Sequence, residues 1–311
     1  MNNVESNAIV IQNLIKRYGS KTILNNVSLQ IPKGIVFGLL GPNGAGKSSM
    51  INIISGIIKQ TEGDVFIMNK NIKTHPNECK ILIGTAIQEV LLDPFFSVKD
   101  YLTFMAGYYG IPKNKAKERI EEVCTHLDLI PHLHKNTRML SGGMKKRLII
   151  AKAILHNPEI IILDEPTAGV DIELRSSLWS YILKLQKQGK TIILTTHYLE
   201  EAESFCDRIA FINEGKIILN DTKKNILNIL QSKTLSIIVN SIKSFEEPKN
   251  CNISLDEKLN TILVNYNPAN FDISNLIQTI QESKMIITDI ISKQSNLDDV
   301  FLSIFKHKSY E

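Results

Sequence analysis

Residues 41–48 are Gly41, Pro42, Asn43, Gly44, Ala45, Gly46, Lys47 and Ser48, followed by Ser49, and this spacing is suited to holding phosphate. Glycines let backbone N–H groups turn inward and approach phosphate oxygens with no Cβ in the way. Lys47 is placed to reach the β- and γ-phosphates of a nucleotide, and the Ser48 hydroxyl to ligate Mg²⁺. An apolar run, Ile35–Leu40, leads into the loop and a helical pattern over 47–57 leaves it, so the positive end of a helix faces the same anion. A second group of reactive side chains closes the run Ile160–Leu163, which ends in Asp164 and Glu165. Beside the first strand of a phosphate-binding fold, Asp164 would hold the metal, and Glu165 would orient or deprotonate a water.

A third candidate is Leu140-Ser141-Gly142-Gly143-Met144, which opens the helical run Met144–Leu155. Ser141 is a natural N-cap, and two glycines expose backbone donors, so this helix end is a second anion site. One nucleotide is already satisfied by the first site. The economical resolution is a homodimer in which each chain's second site closes over the nucleotide held by its partner.

The elements that position these groups alternate in type. Strand patterns at Ile9–Ile15 and Ile23–Ile31 flank the turn signal Tyr18-Gly19-Ser20. Further strands are expected at Val65–Met68, Ile81–Ile87, Ile160–Leu163, Thr191–Thr195 and Ile209–Asn213, with helices at Leu174–Gln188 and Leu199–Cys206. This is an α/β pattern with a parallel sheet. A mostly helical insertion over about 89–155 interrupts it, with Lys115–Leu127 and Met144–Leu155 its clearest helices. After residue 230 the composition shifts, and 231–311 reads as a small C-terminal α+β domain. Its expected strands are Thr234–Asn240, Thr261–Asn265 and Met285–Ser292, and its expected helices Ile273–Glu282 and Leu297–Phe305.

Composition bounds the remaining possibilities. The 311 residues are 43% hydrophobic and 22% charged with a net charge of +4, which excludes a strongly basic nucleic-acid binder. The cluster Lys145-Lys146-Arg147 reads as a solvated helix face. Cys79, Cys124, Cys206 and Cys251 lie too far apart for a zinc motif and are too few for a disulfide scaffold, which suits reduced thiols in a cytosolic protein. No apolar run reaches the 18 or so residues of a membrane span, so any pore is expected to come from another polypeptide.

Taken together, Gly41–Ser48, Gln88, Leu140–Gly143, Leu163-Asp164-Glu165-Pro166 and His197 resemble the P-loop ATPase domain of ABC proteins, in order and in spacing, over about 8–230. The resemblance implies a parallel sheet core, an antiparallel β subdomain and a helical insertion, with ATP and Mg²⁺ as ligands. It implies that Tyr18 stacks on adenine, that Gln88 senses Mg²⁺ and the γ-phosphate, and that Asp171 lies in the loop crossing the dimer interface. His197 is then the switch histidine on the γ-phosphate, and Glu165, His197 and Lys47 the catalytic set, with Ser48, Gln88 and Asp164 around the metal.

A finer resemblance rests on Glu165–Arg175 and Thr195–Glu203, which are similar to the ABC-2 exporter group and most of all to its YadG-like bacterial proteins. Many importer ATPases have His-Asp where this chain has His197-Tyr198. The group implies an integral membrane permease as partner and a place on the cytoplasmic face of the inner or plasma membrane. The apolar loop Leu91–Phe96 reads either as the contact with that partner or as packing of the insertion. Rival readings are a DNA- or ribosome-acting ABC ATPase and a scaffold that binds ATP without turnover. The short insertion and single ATPase domain disfavour the first, and the presence of Lys47, Asp164, Glu165 and His197 disfavours the second.

Overall fold

Apolar residues spaced along both sides of Gly19 fold the start of the chain into a hairpin. Its strands are β1 (Asn7–Tyr18) and β2 (Lys21–Pro32), with Leu24, Val27, Leu29 and Ile31 of β2 turned inward. The computed structural model describes residues 6–87, 92–169, 172–229, 233–245, 248, 250–256, 258–267, 270–294 and 296–306. The chain divides into two compact units, Met1–Thr222 and Lys223–Glu311.

In the first unit the chain continues through β3 (Val36–Leu40), α1 (Lys47–Ile54), β4 (Glu62–Ile67), β5 (Lys70–Asn71), α2 (Pro76–Leu82) and β6 (Ile83–Ala86). The insertion holds α3 (Val98–Tyr108) and α4 (Lys113–His126) and leads into α5 (Gly142–Ile154). The remainder is β7 (Ile160–Asp164), α6 (Ile172–Lys187), β8 (Thr191–Thr195), α7 (Leu199–Phe205), β9 (Arg208–Asn213) and β10 (Lys216–Thr222). One sheet is antiparallel, in the order β2-β1-β4-β5. The other runs β10-β9-β3-β8-β7-β6, parallel except for β10.

Parallel strands carry helices on their faces and so lose both faces to the core, which is why β3 and β8 are buried at every residue. The two sheets share one apolar core in which Ile9, Leu24 and Val65 meet Phe37, Ile162 and Ile193. β7 is not next to β3, as its motif suggested; β8 lies between them, pairing Asp164 with Thr195 and Leu39 with Thr195. Residues 81–87, expected as one strand, divide: 81 and 82 close α2, 83–86 form β6, and Ile87 lies past its end.

Two helices, α4 and α5, are held together by arginines that cap each other's ends. Arg147 of α5 is 8% exposed and donates from Nη1 to the carbonyls of Leu127 (3.0 Å) and Asp128 (3.2 Å) at the end of α4. Arg119 of α4 donates to the carbonyls of Ile154 (2.8 Å) and Leu155 (3.2 Å) at the end of α5. Each guanidinium thus satisfies carbonyls that a helix end leaves open, and the two helices run antiparallel. The cluster Lys145–Arg147 is therefore not a solvated face: Arg147 is buried, and Lys145 and Lys146 are half-buried.

The second unit, taken by itself, contains α8 (Lys223–Leu227), β11 (Lys233–Val239), β12 (Cys251–Asp256), β13 (Thr261–Tyr266), α9 (Ile273–Glu282), β14 (Ile287–Gln294) and α10 (Leu297–Lys306). Its antiparallel sheet has the order β12-β13-β11-β14, and α9 lays Leu276 and Ile280 against Leu235, Ile237, Ile262 and Val264. Among the described residues no helix is long and apolar enough to cross a membrane.

Candidate active site

The loop between β3 and α1 takes its shape from how closely its backbone passes its neighbours. A Cβ on Gly41 would lie 2.1 Å from the Ile212 carbonyl oxygen, so no side chain fits there. Gly46 is the N-cap of α1 at φ +110°, and a Cβ on it would lie 2.8 Å from Leu24 Cδ2. Only glycine takes that backbone without strain. No acidic residue occupies the first turn of α1, so the positive helix end is not neutralised from within. Ser48 is exposed at this end, Ser49 half-buried and Ala45 buried. Pro42 O accepts from Ala45 N at 3.2 Å in the turn that carries Asn43 and Gly44.

Lys47 folds back onto the loop, within range of the charge of the two carboxylates. Its ammonium donates to the carbonyls of Gly41 (2.7 Å) and Pro42 (3.0 Å). Burial pulls its pKa below the ordinary lysine value, while the negative charges of Glu165 and Asp164 act in the opposite sense. Lys146 of α5 has the same three influences in the same order, with burial again the largest. Two cations from different elements therefore feel the carboxylates at the end of β7.

Asp164 Oδ1 accepts a hydrogen bond from Thr195 Oγ1 on β8. Glu165 lies just beyond, at φ +48°, its N–H bonded to Thr195 O at 2.9 Å. A non-glycine residue in that region costs about 1–2 kcal/mol and persists where the surroundings impose it. His197 Nδ1 stands 3.2 Å from Glu165 Oε1. β7 and β8 are neighbours, so the loops leaving their ends meet, which brings His197 to Glu165 across 32 residues of sequence.

Tyr18 ends β1 with 51% of its surface exposed and Lys16 Nζ 4.5 Å from its ring centre, so it is no core residue. Ser141 caps α5, accepting from Met144 N at 3.3 Å, and is exposed together with Gly142. A Cβ on Gly143 would lie 3.9 Å from Gly169 O, which sets this helix start beside the loop following Glu165. Gln88 and Asp171 lie outside the described residues, as does Leu91 of the apolar loop. Within that loop Phe95 is 90% exposed, and Phe96 stacks on Phe104 with ring centres 5.8 Å apart.

The sequence reading passed over Thr167, Thr196 and Glu201 as site-shaping residues. Glu201 lies beside Glu200 in the first turn of α7, yet it is 5% exposed. The available signal was a pair of threonines closing an otherwise apolar strand, since buried hydroxyls seek partners.

Among the described residues no group of three or more His, Cys, Asp or Glu could hold a metal by itself. Ser48 and Asp164 are nonetheless hard oxygen donors of the kind Mg²⁺ takes, with nucleotide phosphates and water completing its shell.

A glycine-rich loop at a helix start, a lysine folded onto it and two carboxylates beyond the neighbouring strand are the parts of a P-loop nucleotide hydrolase. Residues 24–168 match the family model described as ABC transporter. The linearmycin resistance ATP-binding protein of Bacillus subtilis is 38% identical over 224 residues, 72% of each chain. The Nod factor export ATP-binding protein I of Burkholderia thailandensis is 34% identical over 219 residues, 70% of this chain and 72% of that one. A dimeric cassette in its post-hydrolysis state, bound to ADP and Pi, superposes with a TM-score of 0.64 at 28% identity, over 69% of this chain and 98% of that one. The chain belongs to the ABC transporter family as an ATP-binding subunit, and it is an ATPase.

Proposed function

We propose that this ATPase drives an exporter of the ABC-2 type, close to the YadG-like group, through a separate integral membrane permease. Two copies would form a homodimer around two ATP molecules on the cytoplasmic face of the inner or plasma membrane. The names of the relatives, linearmycin resistance and Nod factor export, support an outward direction. An ATPase domain over 8–230 is followed by a small α+β domain over 231–311; the division into two units supports two domains, with its boundary eight residues earlier, after Thr222.

The observation that carries the reading is the convergence of Lys47, Asp164, Glu165 and His197, with Glu165 and His197 3.2 Å apart. In this assignment residues 41–49 wrap the phosphates, and Lys47 neutralises charge on the β- and γ-phosphates. Tyr18 stacks on the adenine, and the exposed helix start at Ser141, Gly142 and Gly143 closes over the partner's nucleotide. Glu165 orients the attacking water and accepts its proton, while His197 donates to the γ-phosphate. Gln88 and Asp171 report the nucleotide to the permease side and to the partner copy. Ser48, Gln88 and Asp164 would hold Mg²⁺, which supplies charge neutralisation when bound. Positioning and electrostatics supply most of what phosphoryl transfer needs, so a clamp with few covalent demands suffices.

Glu165→Gln tests the assignment. The γ-phosphate bridge then stays intact, so size-exclusion chromatography with ATP and Mg²⁺ should show a persistent dimer and phosphate release should nearly cease. A monomeric variant hydrolysing at the parent's rate refutes both the base and the clamp.

A further inference from the structure

Glu201 sits in the first turn of α7, behind the two loops that hold Glu165 and His197. A buried carboxylate is costly unless its oxygens are filled, and here each takes a hydroxyl from a different loop. Oε1 accepts from Thr167 Oγ1 at 2.5 Å, two residues after Glu165. Oε2 accepts from Thr196 Oγ1 at 3.2 Å, one residue before His197. Thr196 Oγ1 in turn accepts from Tyr198 N at 3.0 Å, so the backbone on both sides of His197 is tied to the same carboxylate. Arg175 of α6 stands 3.8 Å from Oε1, close enough for attraction between charges though not for a hydrogen bond. Its guanidinium lies 5.3 Å from the Tyr198 ring, and that ring is 4.1 Å from the His197 ring.

We propose that Glu201 is a positioning residue for ATP hydrolysis, a buried strut that fixes the loop carrying Glu165 relative to the loop carrying His197. It touches neither side chain and acts through Thr167 and Thr196. The need for such a strut is visible in the pair itself. Glu165 has a left-handed backbone that its surroundings must impose, and His197 is 53% exposed at its side chain, so packing does little to hold it. An apolar residue could fill the space behind the loops, but it could not hold two hydroxyls at a set separation. Tyr198 adds a second link, from Arg175 to His197, that an aspartate in its place could not make through a ring.

The inference rests on the roles assigned above to Glu165 and His197, so the experiment carries both controls. Steady-state hydrolysis is measured for Glu201→Ala, Glu201→Gln, Glu165→Gln and His197→Ala, with ATP affinity and thermal melting for each. Glu201→Ala should lower kcat about 10- to 100-fold, the cost of an ångström-scale misplacement at a reacting centre. KM and ATP affinity should stay within about twofold, because the phosphate loop belongs to other elements; a merely structural residue would not give this split. Glu201→Gln should recover most of kcat, since its amide oxygen can accept from Thr167 while its NH₂ donates to the Thr196 oxygen.

A folded Glu201→Ala protein with the parent's kcat, beside slow Glu165→Gln and His197→Ala, overturns the strut alone. Parental rates in those two controls overturn the assignment and the strut with it. If Glu201→Ala does not fold, Thr167→Val and Thr196→Val decide. Each should lower kcat, and the double variant should be no slower than the worse single one. Independent multiplicative losses, or none, refute the proposal.

Discussion

Replacing Gly142 and Gly143 by alanine separates what the fold requires from what the reaction requires. Neither residue has a positive φ. An added Cβ at Gly142 meets no atom within 4 Å, and one at Gly143 meets only Gly169 O at an ordinary 3.9 Å. Both lie in the first turn of α5, where alanine is the better helix former by up to about 0.5–1 kcal/mol at an interior position. Allowing for the helix end, the double variant should gain about 1 kcal/mol, which for a unit of this size raises the melting temperature by about 2–4 °C. A single chain therefore gives no reason for glycine at either site. If phosphate of a partner-held nucleotide approaches these N–H groups, two added methyl groups hold it off by about 1 Å, and turnover should fall about 100-fold. The assay is phosphate release at several protein concentrations beside a thermal melt. A variant more stable than its parent but nearly inactive supports closure by a second copy. Parental turnover refutes it, and the helix start is then only a capped end.

Mixing offers a second test. Lys47→Ala and Ser141→Arg each inactivate a different half of the composite site, so a mixture should hydrolyse ATP faster than either variant alone. Normal hydrolysis by Ser141→Arg on its own refutes the sandwich. The exposed Phe95 should tolerate serine with an unchanged melting temperature, while co-sedimentation with membranes that contain the permease drops; unchanged co-sedimentation moves the contact elsewhere. His156 stacks on Tyr109 at 3.7 Å, and burial depresses its pKa to about 4. The unfolded chain binds this proton below about pH 6.5 and the folded chain only near 4. Its stability contribution is therefore full above about pH 6.5 and is lost as pH falls toward 4, by up to about 3 kcal/mol. His156→Phe keeps the stack and should flatten the melting temperature between pH 7 and 5; an unchanged slope refutes the assignment to this ring.

The chemistry was easier to read than the architecture that assembles it. Gly41–Ser48 and Asp164-Glu165 were legible because phosphate and water each demand particular atoms at fixed chain separations. His197 was legible because a strand of readable length, Thr191–Thr195, carries it. The order β3-β8-β7 was not, since strand neighbours are chosen by crossover packing and nothing local in Ile160–Leu163 names the strand beside it. β10 and β12 went unread because half-buried strands with mixed polarity, such as Lys216–Thr222 and Cys251–Asp256, carry weak alternation. Arg147 misled and Glu201 went unread for a shared reason. Charge in a helix pattern suggests solvent, and only the fold shows that carbonyls or hydroxyls wait inside to receive it.

The exchanged arginine caps between α4 and α5 give this unit a mechanical property. Because Arg147 grips the end of α4 and Arg119 the end of α5, neither helix can slide along the other without breaking hydrogen bonds at both helix ends. Four hydrogen bonds at two separate points link the helices, so a displacement of one strains its contacts with the other.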